Sequence, residues 1–297
     1  MSAATPLRFS KMHGLGNDFV LVDARDPLPA QVTADLPGLA RTLCDRHYGV
    51  GGDGLILLLP SARADVRMRI FNPDGSEAEM CGNGIRCLAS FAHDRGATTG
   101  RSMTVETGAG ILTPTLLDDG RVEVDMGEPI LPSAQVPVHL DGVAETERVL
   151  DAPLVVDGET FIVCCASMGN PHCIIFLDRQ QGNRLAGLPL DEVPLSTLGA
   201  RIERLPCFPA GTNVEFAALL GPNEIAVRVW ERGAGATLAC GTGACATMVV
   251  AALTGRVGQR TRVHLPGGPL DVEWREGATV KMRGPYAWVY DGAWRLA

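Results

Sequence analysis

Short apolar runs, separated by glycine and proline, make up most of the hydrophobic pattern of this chain. Eight of these runs have the length and the β-branched content that are typical of strands, and they cover residues 19–24, 55–59, 66–71, 121–126, 173–177, 213–219, 225–230 and 270–274. They do not alternate regularly with helical segments, as βαβ units would. The pattern therefore predicts an α+β fold with mostly antiparallel or mixed sheets.

Three segments are predicted to be helical. Residues 36–47 form the first, and the other two, 85–93 and 244–253, each lie in or directly after a Cys-Gly-x-Gly sequence. Segment 244–253 is apolar on every side, and segment 85–93 is nearly so. A helix without a polar face is buried rather than amphipathic. We therefore predict that each of these two segments is a central helix wrapped by a sheet.

The two halves of the chain resemble each other. "MHGLGNDFVLVD" (12–23) and "SMGNPHCIIFLD" (167–178) both place Gly-Asn before a strand that ends in Asp. From Asn17 to Cys81 is 64 residues and from Asn170 to Cys240 is 70 residues, and each cysteine opens a Cys-Gly-x-Gly motif. Two matched motifs in the same order favour an internal duplication over chance similarity. A Pro-rich stretch at 126–137 separates the repeats, and we predict an N-terminal half, 1–128, and a C-terminal half, 129–284.

The composition narrows the class of protein and its partners. With 46% hydrophobic and 20% charged residues, the chain has the composition of a soluble globular protein rather than a disordered one. Its longest apolar runs, 55–59 and 248–253, are far shorter than the roughly 20 residues that span a bilayer. The N-terminal residues MSAATPLRFS lack a basic start followed by an apolar core, so we expect a cytoplasmic protein. The net charge of −8, without any Lys/Arg-rich stretch, argues against nucleic acid or a membrane as partner.

Cysteine, histidine and lysine usage bears on metals and cofactors. Nine cysteines are an odd number in a large chain, which argues against a disulfide framework. No Cys-x-x-Cys pair occurs, so the commonest zinc and redox spacings are absent, and the six histidines are scattered. Lys11 and Lys281 are the only lysines, whereas a pyridoxal-phosphate enzyme needs a lysine for its Schiff base. The sequence therefore favours neither a metal nor a cofactor.

Each Cys-Gly-x-Gly motif opens a predicted helix whose first N–H groups have no intrahelical partner. Glycines let a ligand approach these N–H groups, and the helix dipole favours an anion there. Gly82-Asn83-Gly84 and Gly241-Thr242-Gly243 are thus candidate sites for a carboxylate or a phosphate. The helix end would also favour the thiolate form of the adjacent cysteine. A single motif of this kind would more often be a helix cap with a buried thiol.

Two such motifs in duplicated halves indicate a specific chemistry. A pseudo-twofold axis would make the two helix ends face each other, with Cys81 and Cys240 on opposite sides of a small carboxylate. Removing a proton from one face of a carbon and returning one to the other face inverts a stereocentre. That reaction needs two acid/base groups and hydrogen-bond donors for the developing charge. Two thiols and two helix N-termini supply both.

Eight stretches, which together run nearly end to end, resemble the diaminopimelate epimerase family: FSKMHGLGNDFVLVD, DRHYGVGGDGLILL, FNPDGSEAEMCGNGIRC, SMGNPHC, GTNVEF, RVWERGAGATLACGTGAC, VHLPGGPLDVEW and GPYAWVYDG. The cysteine motifs are specific in combination with SMGNPHC and ERGAGAT. The resemblance implies an isomerase that converts LL-2,6-diaminopimelate to the meso form by two-base α-proton transfer. The family needs no cofactor and serves lysine and peptidoglycan precursor biosynthesis.

The same resemblance implies a fold and an assembly. Two pseudo-symmetric halves would each have a central helix inside a curved sheet, with the active site in the cleft between them. Residues 285–297 would return to the N-terminal half. Members of the family are typically homodimers, and Tyr290 falls in a segment that the family uses at that contact.

The resemblance also implies roles for individual residues. Cys81 and Cys240 would be the acid/base pair, assisted by His172 and Glu231. The substrate would be held by backbone N–H groups at its reacting carboxylate and by side chains chiefly at its distal end. The residues that supply the N–H groups would be Gly82, Asn83, Gly241 and Thr242, and the side chains would be Asn17, Asn72, Asn170, Asn213, Glu231 and Arg232.

Ordinary structural explanations stay open for several of these residues. The Glu231-Arg232 sequence could be a strand-end ion pair, and the Gly-Asn-Pro and Asn-Pro-Asp-Gly-Ser sequences at 169–171 and 72–76 could be simple turns. His172 could be a structural histidine. Gly54 stands where some members of the family have a glutamine that touches the substrate. Either that contact is absent here, or the backbone replaces it.

Two other functions compete with this one. A proline racemase or hydroxyproline epimerase would use the same two thiols, but its substrate has one amino-acid end and would not need Arg232 and the asparagines. A non-enzymatic binding module would use the Gly-x-Gly turns for phosphate or the cysteines for a metal.

Overall fold

The computed structural model describes residues 6–295, which form two compact units. One unit comprises the chain up to Asp125 together with the chain from Arg283 onward, and the other comprises Met126–Met282. Each unit contains its own strands and its own long buried helix. The division into domains at 128/129 and 284/285 stays a prediction.

Strands outnumber helices, as the apolar pattern predicts. In chain order the strands are β1 (Leu7–Gly14), β2 (Asn17–Asp23), β3 (Gly54–Leu59), β4 (Val66–Phe71), β5 (Glu77–Ala78), β6 (Val105–Thr107), β7 (Gly110–Leu112), β8 (Thr115–Leu116), β9 (Val122–Asp125), β10 (Ala152–Val156), β11 (Glu159–Ser167), β12 (Pro171–Phe176), β13 (Asn213–Gly221), β14 (Glu224–Glu231), β15 (Gly235–Thr237), β16 (Arg260–Leu265), β17 (Gly268–Glu273), β18 (Lys281–Gly284) and β19 (Ala287–Trp294). The α-helices are α1 (Ala30–Thr33), α2 (Leu36–Cys44), α3 (Gly82–Asp94), α4 (Ala200–Glu203) and α5 (Gly241–Leu253). Two 3₁₀ helices and a π-helical turn lie between β12 and α4, at Leu177–Arg179, Leu190–Glu192 and Leu195–Gly199.

The sheet of the first unit has the strand order β19-β1-β2-β3-β4-β6-β7, and β5 pairs with β4. The pairs β2–β3 and β4–β6 are parallel, and the other pairs are antiparallel. In the second unit the order is β10-β11-β12-β13-β14-β16-β17, and β15 pairs with β14. Here β12–β13 and β14–β16 are parallel, and the others are antiparallel. The two units therefore repeat one topology, which confirms the predicted mixed α+β fold of two similar halves.

The central strands of the first sheet are covered on both faces. Leu55 and Leu57 pack in one core cluster with Leu43 of α2. Ile56 faces α3, since its Cδ1 would lie 2.9 Å from a Cβ added to Gly84. A strand that is buried on both faces needs apolar residues at every position. This requirement explains why the run at 55–59 is uninterrupted instead of alternating.

Helices α3 and α5 are buried, as predicted, and each has 13 residues. α3 packs against β1–β4 and against β8 and β9, and α5 packs against β11–β14, β16 and β17. Each helix thus contacts several neighbouring strands of its own unit. Arg86 is an exception to the apolar character of α3, since it is fully buried there. Its guanidinium donates to the carbonyl groups of Gly82 (3.0 Å) and Pro285 (3.1 Å) and to Oδ1 of Asn83 (2.9 Å).

Helix α2 is shorter than the predicted segment 36–47. It ends at Cys44, because Asp45 leaves the helical region (φ −58°, ψ 124°). Oδ1 of Asp45 accepts hydrogen bonds from the N–H groups of His47 and Tyr48, both at 2.7 Å. An Asp side chain that binds the backbone two or three residues on favours a turn over a helix. At 173–177 the strand ends one residue early, since Leu177 begins a 3₁₀ helix. None of the helices in the described part of the chain is long and apolar enough to cross a membrane.

Candidate active site

Each of the two predicted cysteines directly precedes one of the buried helices. Cys81 is the N-cap of α3 (φ −141°, ψ 120°) and Cys240 is the N-cap of α5 (φ −117°, ψ 111°), so both have an extended backbone. Their carbonyl groups accept the first helical hydrogen bonds, from Ile85 N at 2.9 Å and from Ala244 N at 3.0 Å. The N–H groups of Gly82, Asn83, Gly241 and Thr242 therefore lie in the first turn of each helix, where an anion is favoured.

Cys81 is half-buried, and two asparagines lie beside its sulfur. The thiol is 3.7 Å from Oδ1 of Asn17, and Nδ2 of Asn83 donates to the same oxygen at 3.2 Å. Asn17 begins β2 after a two-residue turn in which Leu15 and Gly16 both have positive φ, 58° and 83°, as a tight hairpin requires. The Gly-Asn motif of the first half thus places an amide oxygen next to the thiol.

A charged cluster orients Asn17. Oδ2 of Asp53 accepts a hydrogen bond from Nδ2 of Asn17 at 2.8 Å, which leaves Oδ1 directed at Cys81. Arg46 bridges Asp53 (2.7 Å) and Asp18 (2.8 Å), and Asp18 also pairs with Lys11 at 2.6 Å. Burial raises the pKa of Asp18, but the hydrogen bonds from Arg46 and Lys11 outweigh burial and lower it to about 2. Asp18 is therefore ionised at neutral pH, and the contacts of Asp53 hold the Asn17 amide in one orientation.

Cys240 is buried, and its sulfur has different neighbours. The N–H of Gly243 donates to Sγ at 3.3 Å, and Oγ1 of Thr242 is also 3.3 Å from Sγ. Burial, followed by the charges of Glu231 and Glu215, raises the pKa of the Cys240 thiol well above its usual range, although Thr242 and the Gly243 N–H act in the opposite direction. At Cys240 the helix-end N–H of Gly243 favours the thiolate, as expected, but burial and the two carboxylates outweigh it.

His172 and Glu215 form a fully buried pair beside the start of α5. Nδ1 of His172 is 2.7 Å from Oε1 of Glu215, and both side chains are 0% exposed. Nε2 of His172 is 3.1 Å from Oδ1 of Asn170, which precedes β12. The parallel register of β12 and β13 sets His172 opposite Asn213 and Ile174 opposite Glu215. His172 thus contacts both Asn170 of the second Gly-Asn motif and the buried carboxylate of Glu215.

Glu231 and Arg232 have separate partners, so they are not the strand-end ion pair that the sequence left open. Glu231 accepts a hydrogen bond from Oγ1 of Thr237. Burial raises the pKa of Glu231, and the charge of Glu215 adds to that effect. Nη1 of Arg232 donates to the carbonyl of Ala210 at 2.7 Å, and the Arg232 N–H donates to Oδ1 of Asn213 at 2.7 Å. Arg232 is exposed to solvent.

Asn72 lies in a turn, as its sequence context suggests. Its Nδ2 donates to Oγ of Ser76 at 2.9 Å, and its carbonyl accepts from the N–H of Gly75, which has φ 87°. No contact of Asn72 with another predicted site residue is seen in the described chain. Gly54 is tightly enclosed, since an added Cβ would lie 3.0 Å from the carbonyl oxygen of Phe71. A glutamine at this position would therefore require the backbone to shift.

Direct contacts group most of the predicted site residues round one thiol or the other. Asn17 and Asn83 lie with Cys81 in the first unit. Glu231 and Thr242 lie beside Cys240 in the second unit. In the same unit His172 contacts Asn170 and lies opposite Asn213, and Asn213 accepts a hydrogen bond from the N–H of Arg232.

Asp53 and Glu215 contact predicted site residues but are not among the predicted ones. Glu215 carries a signal in the sequence, because a carboxylate inside the apolar run NVEFAAL must find a partner if that strand is buried. Asp53 carries no such signal, because it lies in a Gly-rich turn of ordinary composition.

Three other buried cysteines lie away from the two helix N-caps. Burial raises the pKa of Cys87 and of Cys164 to about 12 and that of Cys44 to about 11. We interpret these three side chains as small apolar residues of the core. Among residues 6–295, no group of three or more His, Cys, Asp or Glu side chains could hold a metal ion.

Solved structures with this fold include a hydroxyproline epimerase from Agrobacterium vitis with bound trans-4-hydroxy-L-proline. The similarity covers 99% of this chain and 93% of that one, with a TM-score of 0.68 and 18% sequence identity. At this identity the likeness concerns the fold, which agrees with the two repeated halves described above.

Sequence comparison is more specific. The family model described as diaminopimelate epimerase matches residues 9–132 and 164–289, which follow the two repeats. The diaminopimelate epimerase of Pelotomaculum thermopropionicum is 51% identical over 291 residues, which are 96% of this chain and 98% of that protein. The diaminopimelate epimerase of Desulfitobacterium hafniense is 51% identical over 286 residues, 95% of this chain and 96% of that protein. This chain belongs to the diaminopimelate epimerase family.

Proposed function

We propose that this protein interconverts LL- and meso-2,6-diaminopimelate by moving the α-proton between Cys81 and Cys240, without a cofactor. The observation that carries the proposal is the repeated site: two cysteines, each the N-cap of a buried helix, in two halves of the same topology. Membership of the family supports the choice of substrate. The product would serve lysine and peptidoglycan precursor biosynthesis.

The reaction needs one thiolate and one thiol on opposite faces of the substrate α-carbon. The thiolate takes the α-proton and becomes a thiol, while negative charge develops on the α-carbon and its carboxylate. The N–H groups of Gly82, Asn83, Gly241 and Thr242, at the two helix N-termini, would stabilise that charge. The other thiol then gives its proton to the opposite face and becomes the thiolate, which inverts the centre.

Polar side chains near the thiols would bind the rest of the substrate and assist the proton transfer. A guanidinium can hold a carboxylate through two hydrogen bonds, and we assign Arg232, which is exposed, to the distal carboxylate. We assign Glu231, with Asn17, Asn72, Asn170 and Asn213, to the ammonium and carboxylate groups, since an amide can both donate and accept. His172 and Glu231 would assist Cys240. The charge of Glu231 acts on the Cys240 thiol, and His172 acts in turn on Glu231.

Proton exchange in heavy water tests the proposal. LL-diaminopimelate is incubated with the wild type, Cys81→Ser and Cys240→Ser, and deuterium at the α-carbon is followed together with stereochemistry. We expect the wild type to invert one centre with deuterium at that centre, and each variant to lose at least about a hundredfold in rate. Proline and trans-4-hydroxyproline serve as control substrates. Inversion of either one, with diaminopimelate unchanged, would contradict the proposed substrate.

We also propose that the protein is a homodimer in the cytoplasm. Strand β19 is at the edge of the first sheet, and its Val289 (53%) and Tyr290 (45%) are exposed apolar side chains. An exposed, apolar edge strand favours pairing with another chain. Tyr290→Glu should give a monomer in sedimentation experiments, whereas the matched variant Val155→Glu, on the edge strand β10, should leave the assembly unchanged. Nine free cysteines, two of which must stay reduced to work, favour a reducing compartment.

A further inference from the structure

The shared register of the two sheets matches residues between the units. Phe19 is opposite Gly54 on the parallel pair β2–β3, as His172 is opposite Asn213 on β12–β13. Two residues further along each second strand are Ile56 and Glu215. The second unit therefore has a histidine and a carboxylate at the positions where the first unit has a phenylalanine and an isoleucine.

Ile56 and Glu215 both contact the first turn of their helix. A Cβ added to Gly84 would lie 2.9 Å from Cδ1 of Ile56, and one added to Gly243 would lie 2.5 Å from Oε1 of Glu215. Sγ of Cys240 is 3.3 Å from that same point on Gly243. The carboxylate of Glu215 thus lies against the glycine turn whose thiol is proposed to act on the substrate, whereas in the first unit the equivalent contact is a methyl group.

The charge of Glu215 is only partly compensated. One oxygen, Oε1, pairs with Nδ1 of His172 at 2.7 Å. The other oxygen, Oε2, is buried and has no hydrogen-bond partner in the described residues. Burying a carboxylate is costly unless it is fully paired, and the equivalent position is filled by an isoleucine without that cost. The fold therefore does not require an acid here.

We propose that Glu215 is a positioning residue that orients His172 and holds the proton on the Cys240 sulfur when the site is empty. The proposal rests on the two-thiol function proposed above. It makes the halves unequal: Cys240 begins as the thiol, and Cys81 begins as the base for one isomer. When Cys240 later acts as the base for the other isomer, the nearby carboxylate makes its thiolate a stronger proton acceptor. The ionisable groups around the Cys240 thiol are Glu231 of β14 and Glu215 of β13, whose charges act on it, and His172 of β12, which pairs with Glu215.

Titration of the Cys240 thiol tests the role of the charge. The ultraviolet absorbance of the thiolate is followed against pH for each protein and for the same protein carrying Cys240→Ser, so that the difference reports Cys240 alone. Glu215→Gln keeps the shape of the side chain and an oxygen for His172, but removes the charge. We expect the midpoint for Cys240 to fall by about one pH unit, because the thiolate no longer faces a carboxylate. The matched control is Glu224→Gln on β14, whose carboxylate is exposed and pairs with His264 at 3.0 Å, and it should not shift the midpoint.

Glu215→Asp separates the charge from the contact with His172. Aspartate keeps the charge but is one methylene shorter, so the midpoint should stay near that of the wild type while kcat on LL-diaminopimelate falls about tenfold and KM changes little. An unchanged midpoint in Glu215→Gln, an equal shift in Glu224→Gln, or a Glu215→Asp protein that titrates like Glu215→Gln would each overturn the proposal. If Glu215→Gln does not fold, Glu215→Ile, which removes the charge and installs the residue found at the equivalent position of the first unit, replaces it in the titration. The titration needs no turnover, so an inactive wild type would count against the proposed function alone.

Discussion

The two halves of this protein share a topology but differ in the surroundings of their cysteines. The side-chain amides of Asn17 and Asn83 lie beside Cys81, and the side chain of Ile56 packs against Gly84 in the first turn of α3. Beside Cys240 are Glu231 and the buried pair of His172 and Glu215. Many apolar positions determine the fold that the two halves share. A few of these positions carry polar residues in one half only, and those residues determine the surroundings of each thiol.

Helix α3 and helix α5 differ most at the fifth residue after the cap, which is Arg86 in one and Cys245 in the other. Arg86 is fully buried and donates hydrogen bonds to Gly82, Asn83 and Pro285. We expect Arg86→Ala to lower the free energy of unfolding by about 3 kcal/mol, because its acceptors lose a charged donor in the core. Cys245→Ala removes one sulfur atom and should cost about 1 kcal/mol. Urea unfolding monitored by circular dichroism measures both, and equal effects would mean that the polar core of α3 contributes little.

The glycine turns offer a closer comparison at the thiols themselves. In Gly243→Ala the new methyl group would meet Glu215 Oε1 at 2.5 Å and Cys240 Sγ at 3.3 Å, so both groups must move. In Gly84→Ala it would meet the ends of two flexible side chains, Ile56 at 2.9 Å and Met68 at 3.2 Å. We expect Gly243→Ala to lose up to about a hundredfold in kcat/KM, because displacement of a reacting group by about 1 Å has such an effect. Gly84→Ala should lose much less.

Both alanines also favour the helix, by up to about 1 kcal/mol each relative to glycine. Thermal unfolding of the two variants is therefore the control for the kinetic comparison. If Gly84→Ala were as inactive as Gly243→Ala while both remained folded, the two turns would be equally sensitive and the contrast between Ile56 and Glu215 would lose its importance.

The ionic cluster round Asn17 belongs to the first half only, since Pro171 takes the place of Asp18 in the second repeat. Arg46 and Lys11 hold the pKa of Asp18 at about 2, below its ordinary value of 3.8. A lowered carboxyl pKa stabilises the folded state above the unfolded pKa, and this stabilisation disappears as pH falls through the folded pKa. We expect Asp18→Asn to be about 1–2 kcal/mol less stable than the wild type at pH 7. The difference should shrink between about pH 4 and pH 2, and a difference that is constant over this range would show that packing, not charge, is responsible.

Much of this fold could be predicted from the sequence. Strands buried on both faces, such as β3, and helix α5 are evident as uninterrupted apolar runs, and helix α3 as a nearly apolar segment. Strand β1 was not predicted, because Ser10 and Lys11 interrupt its pattern. Both residues are nevertheless buried, since Ser10 donates to Asp291 at 2.5 Å and Lys11 pairs with Asp18. The partner of Ser10 is 281 residues away in the sequence, so no local pattern could reveal it.

The candidate site divides in a similar way. The cysteines and their glycine turns could be found from local sequence alone, because a helix N-terminus has a recognisable pattern. The roles proposed for Asn170 and Arg232 rest on the family resemblance. Asp53 and Glu215 needed the structure, since their importance depends on the strand register that sets them beside Asn17 and His172. Register between parallel strands is a property of the assembled sheet and leaves little trace in either strand.

The duplicated topology has a consequence for how such a site can evolve. A symmetric pair of identical chains would give both thiols the same neighbours, and any mutation would change the two sides together. In this protein the two copies lie in one chain, so Glu215 could arise on one side while Ile56 stayed on the other. Because the two repeats are fused in one chain, each repeat can mutate independently. Selection can therefore change the residues around one cysteine without changing those around the other.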